Sequence, residues 1–224
     1  MTELSAFWIT VKLATVTTLW LLLLGTPLAW WLAQRRGVLR NAIEALVALP
    51  LVLPPTVLGF YLLIAFAPQS AFGAFWQSLT GSPLAFTFNA LVIGSILYSL
   101  PFVVQPLQSA FQQLPRGILE AADTLGAGPF DRWRSIILPL CKRSFVAAAS
   151  LGFAHTVGEF GVVLMIGGNI PGETQVLSIA LYDQVESLQF AEAHRMAAGL
   201  MLFSFVMLFL LYRWQGTAGW RFRP

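Results

Sequence analysis

The sequence predicts an all-α membrane protein with about five transmembrane helices. Of the 224 residues, 57% are hydrophobic and 10% are charged, whereas soluble domains carry about 25% charged residues. Asp, Glu, Lys, Arg and His are all absent from residues 45–115. That run is too long for one crossing, because a helix needs about 20 apolar residues to span the hydrocarbon core. The low charge and the long uncharged run together favour a multi-pass protein over a soluble one.

Five apolar stretches account for the predicted spans in chain order. The uncharged run 45–115 divides at 68–83, where polar residues, glycine and proline surround Trp76, and so provides the second and third spans. The fourth span carries His155 and Glu159, and the fifth is short. The predicted spans are 13–34, 45–67, 86–109, 144–167 and 196–212.

The basic residues lie almost entirely in alternate loops. Three follow the first predicted span, five follow the third and three follow the fifth, out of 13 in all. They are Arg35, Arg36, Arg40, Arg116, Arg132, Arg134, Lys142, Arg143, Arg213, Arg221 and Arg223. Because short cytoplasmic loops are enriched in Lys and Arg, the N-terminus is predicted outside and the C-terminus in the cytosol. Lys12 and Arg195, the two exceptions, are expected at helix ends, where they can snorkel to the interface.

Residues 115–140 form a compact charged segment between the third and fourth spans. Pro115 can begin a helix and Gly126 can end it, because glycine accepts the left-handed cap conformation. Pro129 suits the first position of a second helix, and Pro139 is expected to stop that helix before the next span. The pattern predicts two short cytosolic helices joined by a tight bend. An amphipathic interfacial loop without a partner is the alternative.

Several kinds of chemistry find no support in the sequence. A phosphate-binding loop needs G-x-x-x-x-G-K-[ST], and the only lysines, Lys12 and Lys142, follow Val11 and Cys141. The chain is therefore not expected to be an enzyme or to bind a nucleotide cofactor. One cysteine provides neither a disulfide framework nor a metal-ligand set. No catalytic residue, metal site or nucleic-acid partner is predicted.

The second span contains an unusual set of prolines. The stretch "LPLVLPPTVLG" (49–59) holds Pro50, Pro54 and Pro55, and each proline removes a backbone donor and kinks or breaks a helix. One interpretation is a kinked packing helix. The other is a broken helix beside Thr56 that lines a translocation pathway near a gate, because irregular backbone at membrane depth is tolerated where it lines a cavity.

Glu159 lies between two glycines in "GEFG" (158–161) of the fourth span. A charged residue at the centre of a membrane helix costs about 2.5–3.5 kcal/mol on insertion scales, so it needs an explanation. His155, four residues earlier, is near enough on a helix to pair with it. We favour a structural role, in which Glu159 bonds to backbone or to a partner helix, and gating and proton coupling are the alternatives.

The predicted spans carry no lysine or arginine at mid-depth, so an anion crossing them would meet only neutral donors. The candidate donors are the backbone amides freed around Pro54 and Pro55 and the side chains of Thr56, Asn89, Ser95 and Ser99.

A Pro-Gly turn, "NIPGET" (169–174), opens the outer loop 168–194. That loop is either an amphipathic connector or, together with 68–85, a docking surface for an external protein. The candidate docking residues are Asn169, Pro171, Gly172 and Glu173.

The charged segment resembles the EAA loop of bacterial ABC-importer permeases. The resemblance rests on Glu120-Ala121-Ala122, then Gly126 after three residues, then Ile136-x-Leu138-Pro139 after nine. In that family the loop is a coupling helix that docks into a cleft on a cytosolic ATPase subunit, and we call residues 115–140 the coupling segment. The residues expected to couple to the ATPase are Glu120, Ala121, Ala122, Gly126, Pro129, Arg132 and Pro139.

Nearly the whole chain resembles molybdate ABC transporter permeases. The resemblance rests on the coupling segment together with "LPLVLPPTVLG", "GEFG" and "NIPGET". The resemblance implies one type I importer permease domain over 1–224 in the bacterial inner membrane. It also implies a homodimer, two ATPase subunits that bind ATP and Mg²⁺, and a periplasmic molybdate-binding protein. Tungstate and sulfate/thiosulfate are alternative substrates. A proton-coupled carrier built around His155 and Glu159, or an anchor subunit without a pathway, are alternatives from other classes.

Overall fold

The computed structural model describes residues 2–216, and every regular element within them is helical. The predicted all-α class is therefore confirmed; Arg221 and Arg223, which entered the prediction of sidedness, lie outside the described residues. The helices are α1 (Thr2–Gln34), α2 (Val38–Ala48), α3 (Pro55–Phe66), α4 (Ala71–Thr80), α5 (Phe88–Gln112), α6 (Arg116–Thr124), α7 (Pro129–Arg132), α8 (Leu138–Val157), α9 (Gly161–Gly167), α10 (Leu177–Glu186) and α11 (Phe190–Gly216).

Four stretches are long and apolar enough to cross a membrane, and a bent helix pair supplies a fifth. The four are Leu4–Gln34, Phe88–Gln112, Pro129–Val157 and Phe190–Arg213, and the pair is Val38–Leu51 with Pro55–Phe66. These agree with the expected number of about five. Lys12, expected at a helix end, instead lies within α1, with its Nζ 4.4 Å from the centroid of the Phe88 ring.

Two large apolar clusters hold most of the described helices together, and a small third one lies between α1, α10 and α11. α1, α5 and α8 pack side by side, and their buried residues near the coupling segment include Leu32, Leu107 and Ile137. At the opposite end, α3 and α9 pack against α5 through residues such as Phe66 and Ile166. Close-packed interiors of this kind leave little room for added volume, so each cluster fixes the positions of the helix ends around it.

The second span is broken. A 3₁₀ turn, Leu49–Leu51, ends the first half, and the two halves meet at 110° before α3 begins at Pro55. Pro54 has the extended conformation expected of a residue that precedes proline, with φ −55° and ψ 134°. Of the two interpretations of this span, the structure shows a broken helix and not a kinked one; its place in a translocation pathway stays a prediction.

The coupling segment has its first helix where it was expected. α6 ends in a Schellman motif: the Ala127 N–H donates to the Ala122 carbonyl at 2.9 Å, and the Gly126 N–H donates to the Asp123 carbonyl at 3.0 Å. Gly126 has φ +77°, a conformation that glycine adopts without a steric penalty.

The second helix of the coupling segment does not stop at Pro139, contrary to the prediction. α7 begins at Pro129 and continues through a π-helical turn, Trp133–Ile137, into α8. In the wide turn the Leu138 N–H donates to the Trp133 carbonyl. A turn of five residues moves the preceding carbonyls away from the proline ring, which relieves the clash that breaks a regular α-helix. α7, the second helix of the coupling segment, is thus continuous with the membrane helix α8, whereas α6 is separated from them by the bend at Gly126.

The fourth span is interrupted near its far end. α8 ends at Val157, and α9 starts afresh at Gly161. A continuous helix over 144–167 is therefore wrong, and Glu159 lies in the break. The two breaks, at Pro54 in the second span and at Glu159 in the fourth, face each other where α3 contacts α9.

Candidate functional site

A cavity of about 500 Å³ lies between the two broken spans. Pro55 and Thr56 from the start of α3 line one side, and His155 and Glu159 line the other. Tyr98 of α5 closes the space between them. Three residues predicted for the pathway, Pro55, Thr56 and Glu159, are brought together here.

The other predicted pathway residues lie outside this lining. Pro54 is the N-cap of α3 and is exposed. Ser95 and Ser99 are buried within α5, and Asn89 is exposed at its start.

Glu159 is buried, with 3% of its surface exposed. Neither carboxylate oxygen has a hydrogen-bond partner among the described residues. The Ser95 hydroxyl is close enough to interact with the carboxylate, but the two do not meet hydrogen-bond geometry. The expected bond from the carboxylate to backbone or to another helix is therefore not formed within the described chain. Both main-chain polar groups of Glu159 are held: its carbonyl accepts a 2.5 Å hydrogen bond from the Ser178 hydroxyl, and its N–H donates to the Thr156 carbonyl at 3.3 Å.

Two helix starts lie near this carboxylate. Glu159 precedes α9 by two residues, and a Cβ added to Gly161 would lie 2.8 Å from the Cβ of Pro55, so the start of α9 contacts the start of α3. Helix N-termini carry partial positive charge and free amides. The cavity wall therefore offers positive dipoles and N–H groups but no fixed cation.

His155 is tied to α5 and does not pair with Glu159. Its Nδ1 lies 2.8 Å from the Ser99 hydroxyl, and its ring stacks on Phe102 with centroids 3.9 Å apart. The predicted His155–Glu159 pair is therefore wrong, because the helix on which the four-residue spacing depended ends at Val157. Among residues 2–216, no three His, Cys, Asp or Glu side chains are close enough together to hold a metal ion.

The coupling segment presents apolar side chains outside the bundle. Leu125 is 87% exposed and Phe130 is 73% exposed, on either side of the bend at Gly126. Glu120 and Ala121 are also exposed, whereas Ala122 is buried. Leu125 and Phe130 were not among the residues predicted to couple to the ATPase, although a large apolar residue on each side of a glycine bend was a usable signal.

The two helices of the coupling segment are joined to each other and to the bundle. Arg132 of α7 forms an ion pair with Asp123 of α6. Trp133, in the wide turn, packs against Trp30 of α1 and Phe111 of α5, with ring centroids 5.2 Å and 5.8 Å away. Displacement of the coupling segment would therefore be transmitted to α1, α5 and α8 through rigid contacts.

The "NIPGET" turn is divided between internal and exposed residues. The Asn169 amide donates to both carboxylate oxygens of Asp183, at 3.1 and 2.9 Å, and the Gln175 amide donates to one of them at 2.9 Å. Asn169 thus holds the turn against α10 and is half-buried, and its docking role stays a prediction. Pro171, Gly172 and Glu173 lie exposed at the tip.

Comparison with known proteins assigns the fold and the family. The family described as "binding-protein-dependent transport system inner membrane component" matches residues 25–219. The chain is 55% identical over 210 residues to the molybdenum transport system permease protein ModB of Azotobacter vinelandii, covering 94% of this chain and 93% of that protein. It is 29% identical over 217 residues to the sulfate transport system permease protein CysT of Salmonella typhimurium, covering 97% and 78% of the two chains.

The same fold occurs in a bacterial ABC transporter involved in the import of the acidic polysaccharide alginate. The TM-score is 0.72 at 16% identity, covering 97% of this chain and 79% of that one. The sequence matches and the shared fold confirm the predicted resemblance to importer permeases. The chain belongs to the family of binding-protein-dependent transport system inner membrane components.

Proposed function

We propose that this chain is the transmembrane subunit of an ATP-driven importer that carries molybdate across the bacterial inner membrane. The observation that carries the proposal is the 55% identity, over 94% of the chain, to a protein named as a molybdenum transport permease. The match covers both the coupling segment and the two broken spans. The chain itself performs no chemical reaction in this scheme.

A separate ATPase supplies the energy at the coupling segment. Leu125 and Phe130 are exposed beside Glu120 and Ala121, and a desolvated apolar contact with a charged rim is the usual composition of a specific protein interface. ATP and Mg²⁺ would bind to that partner. Because α7 and α8 form one rod, a movement of the docked segment would reach the cavity at the far end of α8. In this proposal the coupling segment and the C-terminus lie in the cytosol, the side on which basic loop residues are enriched.

The cavity between α3 and α9 is the proposed translocation pathway. The Thr56 amide and hydroxyl are neutral donors suited to an oxyanion, because Pro55 has no N–H and the next two amides donate to the Pro54 carbonyl. A neutral site releases a dianion more readily than a lysine would. The unpartnered Glu159 carboxylate would repel a dianion at the same point. We assign Glu159 a gating role, in which rearrangement of the two breaks removes the carboxylate from the path.

Two further partners complete the proposed importer. A periplasmic molybdate-binding protein would deliver the substrate at the opposite end of the bundle, where Pro171, Gly172 and Glu173 are exposed. A second copy of the chain would close the pathway, since α3 exposes Phe60 and Tyr61, which are 49% and 65% accessible. Exposed faces of this kind pack against either lipid or protein in a membrane.

Cellular molybdenum tests the proposed function directly. Cells lacking this chain, grown at trace external molybdate, are expected to contain several-fold less molybdenum by mass spectrometry, and restoring the chain is expected to recover the content. Sulfate and tungstate uptake are measured in the same cells. If cells lacking the chain lost sulfate uptake but kept their molybdenum content, the substrate would be sulfate and not molybdate. If uncouplers abolished molybdate uptake and removal of the ATPase did not change it, the chain would be a proton-coupled carrier.

Replacing Glu159 by glutamine is expected to lower molybdate import about tenfold and to raise the thermal stability of the purified chain by a few degrees. Glutamine keeps the shape but cannot ionise, and an ionised carboxylate buried without a partner costs more than a neutral polar group. A gain in stability with a loss of activity is typical of a functional residue. Import and melting temperature are measured together.

The matched control is Glu186→Gln, which makes the same change at an exposed position on α10. Import and stability of the control are expected to stay near those of the wild type. If Glu159→Gln lowered stability and left import unchanged per folded molecule, Glu159 would be a structural residue and the gating assignment would be wrong.

A further inference from the structure

A second and larger cleft, of about 1020 Å³, opens where α1 ends. One wall is formed by the end of α1, the connection 35–37 and the first turn of α2, and the other by α6 and α7 of the coupling segment. The end of α5 forms its base. This cleft is separate from the cavity that contains Glu159. Glu120, Pro129 and Arg132 of the coupling segment line it, but the residues at the end of α1 have no role in the proposed transport cycle.

The cleft has an excess of positive charge. Four arginines line it, Arg35, Arg36, Arg40 and Arg132, against only two carboxylates, Glu120 and Asp123.

Two of the four arginines are already neutralised. Arg132 pairs with Asp123, and Arg40 pairs with Glu44, which also accepts a 2.8 Å hydrogen bond from the Gln108 amide. Arg35 and Arg36 are exposed and form no ion pair with any described residue. They are adjacent in sequence, so the unbalanced charge is concentrated at one wall.

The back of the cleft is aromatic and apolar. Trp30 and Trp133 line it with ring centroids 5.2 Å apart, next to Phe111 and Ile137. Tryptophan is enriched where a membrane protein crosses the interface between hydrocarbon and water. Gln34 ends the first apolar span at this same level. A ligand here would therefore meet guanidinium groups on one side and apolar surface on the other.

We propose that this cleft binds the headgroup of an anionic phospholipid, with Arg35 and Arg36 as the principal ligands of its phosphate. Arginine is suited to bidentate recognition of phosphate, and basic pockets at the membrane surface favour anionic headgroups. The volume is far larger than a single tetrahedral oxyanion requires and within the range of sites for larger molecules. The aromatic back wall matches the glycerol and the first methylene groups of the lipid.

Lipid in this cleft would act on the coupling segment. Arg132, which holds α7 to α6, lines the same space as Arg35 and Arg36. A phosphate bound between the walls would tie the α1–α2 connection to the two coupling helices and restrict their relative movement. The inference does not depend on which substrate the chain carries.

Native mass spectrometry of the purified full-length chain tests the proposal. The chain is titrated with phosphatidylglycerol and with phosphatidylcholine that has the same acyl chains. We expect phosphatidylglycerol to bind at least tenfold more tightly. The double variant Arg35→Gln/Arg36→Gln is expected to lose that preference, since each basic residue near an anionic surface contributes a severalfold factor in affinity. Arg35→Lys/Arg36→Lys, which keeps the charge, is expected to retain most of it.

Lys142→Gln/Arg143→Gln is the matched control, because it removes two adjacent, exposed basic residues that lie outside the cleft lining. If this control lost phosphatidylglycerol binding to the same extent, the preference would come from general surface charge and not from the cleft. That result would overturn the proposal. Displacement of the lipid by millimolar inorganic phosphate or molybdate would show a free-oxyanion site instead. Loss of lipid binding when the ATPase is attached would show that the cleft is a protein interface.

Discussion

Replacing Gly126 by valine is expected to reduce molybdate import to background while the chain accumulates normally in the membrane. Gly126 has φ +77° at the end of α6, and no atom lies within 4 Å of the position that a Cβ would occupy. A β-branched residue in this conformation costs about 1–3 kcal/mol of local strain. The strain would be relieved by opening the bend that sets α6 against α7. Import is measured as cellular molybdenum, and membrane abundance by immunoblot.

The control for this substitution is Gly81→Val. Gly81 also follows a helix, has φ +75° and has no atom within 4 Å of a would-be Cβ, but it lies after α4, at the opposite end of the bundle. The same strain is therefore imposed away from the proposed ATPase contact, and near-normal import is expected. Full import by Gly126→Val at normal abundance would contradict a coupling role for the bend.

Replacing Gly59 by leucine is expected to cause the largest loss of stability of any single substitution considered. A Cβ at this position would lie 2.8 Å from the Cβ of Met165 and 3.3 Å from the Cα of Val162, so both neighbours in α9 obstruct it close to the backbone. α3 and α9 would have to separate, which would open the cavity and expose the surrounding core. Overpacking costs about 1–3 kcal/mol in cores that can adjust, and this contact cannot adjust by a rotamer change alone.

Size-exclusion chromatography and thermal melting of the purified chain measure the effect. Gly199→Leu is the control, because it places the same side chain on α11, where no atom lies within 4 Å of the added Cβ. If the Gly59→Leu protein were monodisperse and melted at the wild-type temperature, α3 and α9 would not be packed as closely as the structure shows. Reduced import by a stable variant would instead indicate that the α3–α9 contact moves during transport.

In the coupling segment, the conformational preferences of single residues predicted some helix ends correctly and one wrongly. The helix stop at Gly126 and the helix start at Pro129 depend on the conformations of single residues, and both lie where the sequence placed them. Pro139 obeys the same rules but does not stop the helix, because the π-helical turn before it removes the steric conflict. Packing of Trp133 against Trp30 and Phe111 favours that turn over a break.

The candidate site was predicted in its parts but not in its arrangement. Pro55, Thr56 and Glu159 were selected because proline and charge are costly in a membrane helix, a property that each residue has by itself. Their meeting in one cavity depends on two breaks more than 100 residues apart in sequence, at Pro54 and at Glu159. The His155–Glu159 pair failed for the same reason, since the break removed the helix that would have brought them together.

The sequence alone determined the membrane class, the number of apolar helices, the family resemblance and the first helix of the coupling segment, because these follow from composition, length and the conformational limits of proline and glycine. Only the tertiary structure decided that two spans are broken, that α7 and α8 form one rod, that Asn169 turns inward to Asp183, and that Arg35 and Arg36 face a cleft. Each of those outcomes depends on contacts between residues distant in the chain, and no local pattern specifies which helices will meet.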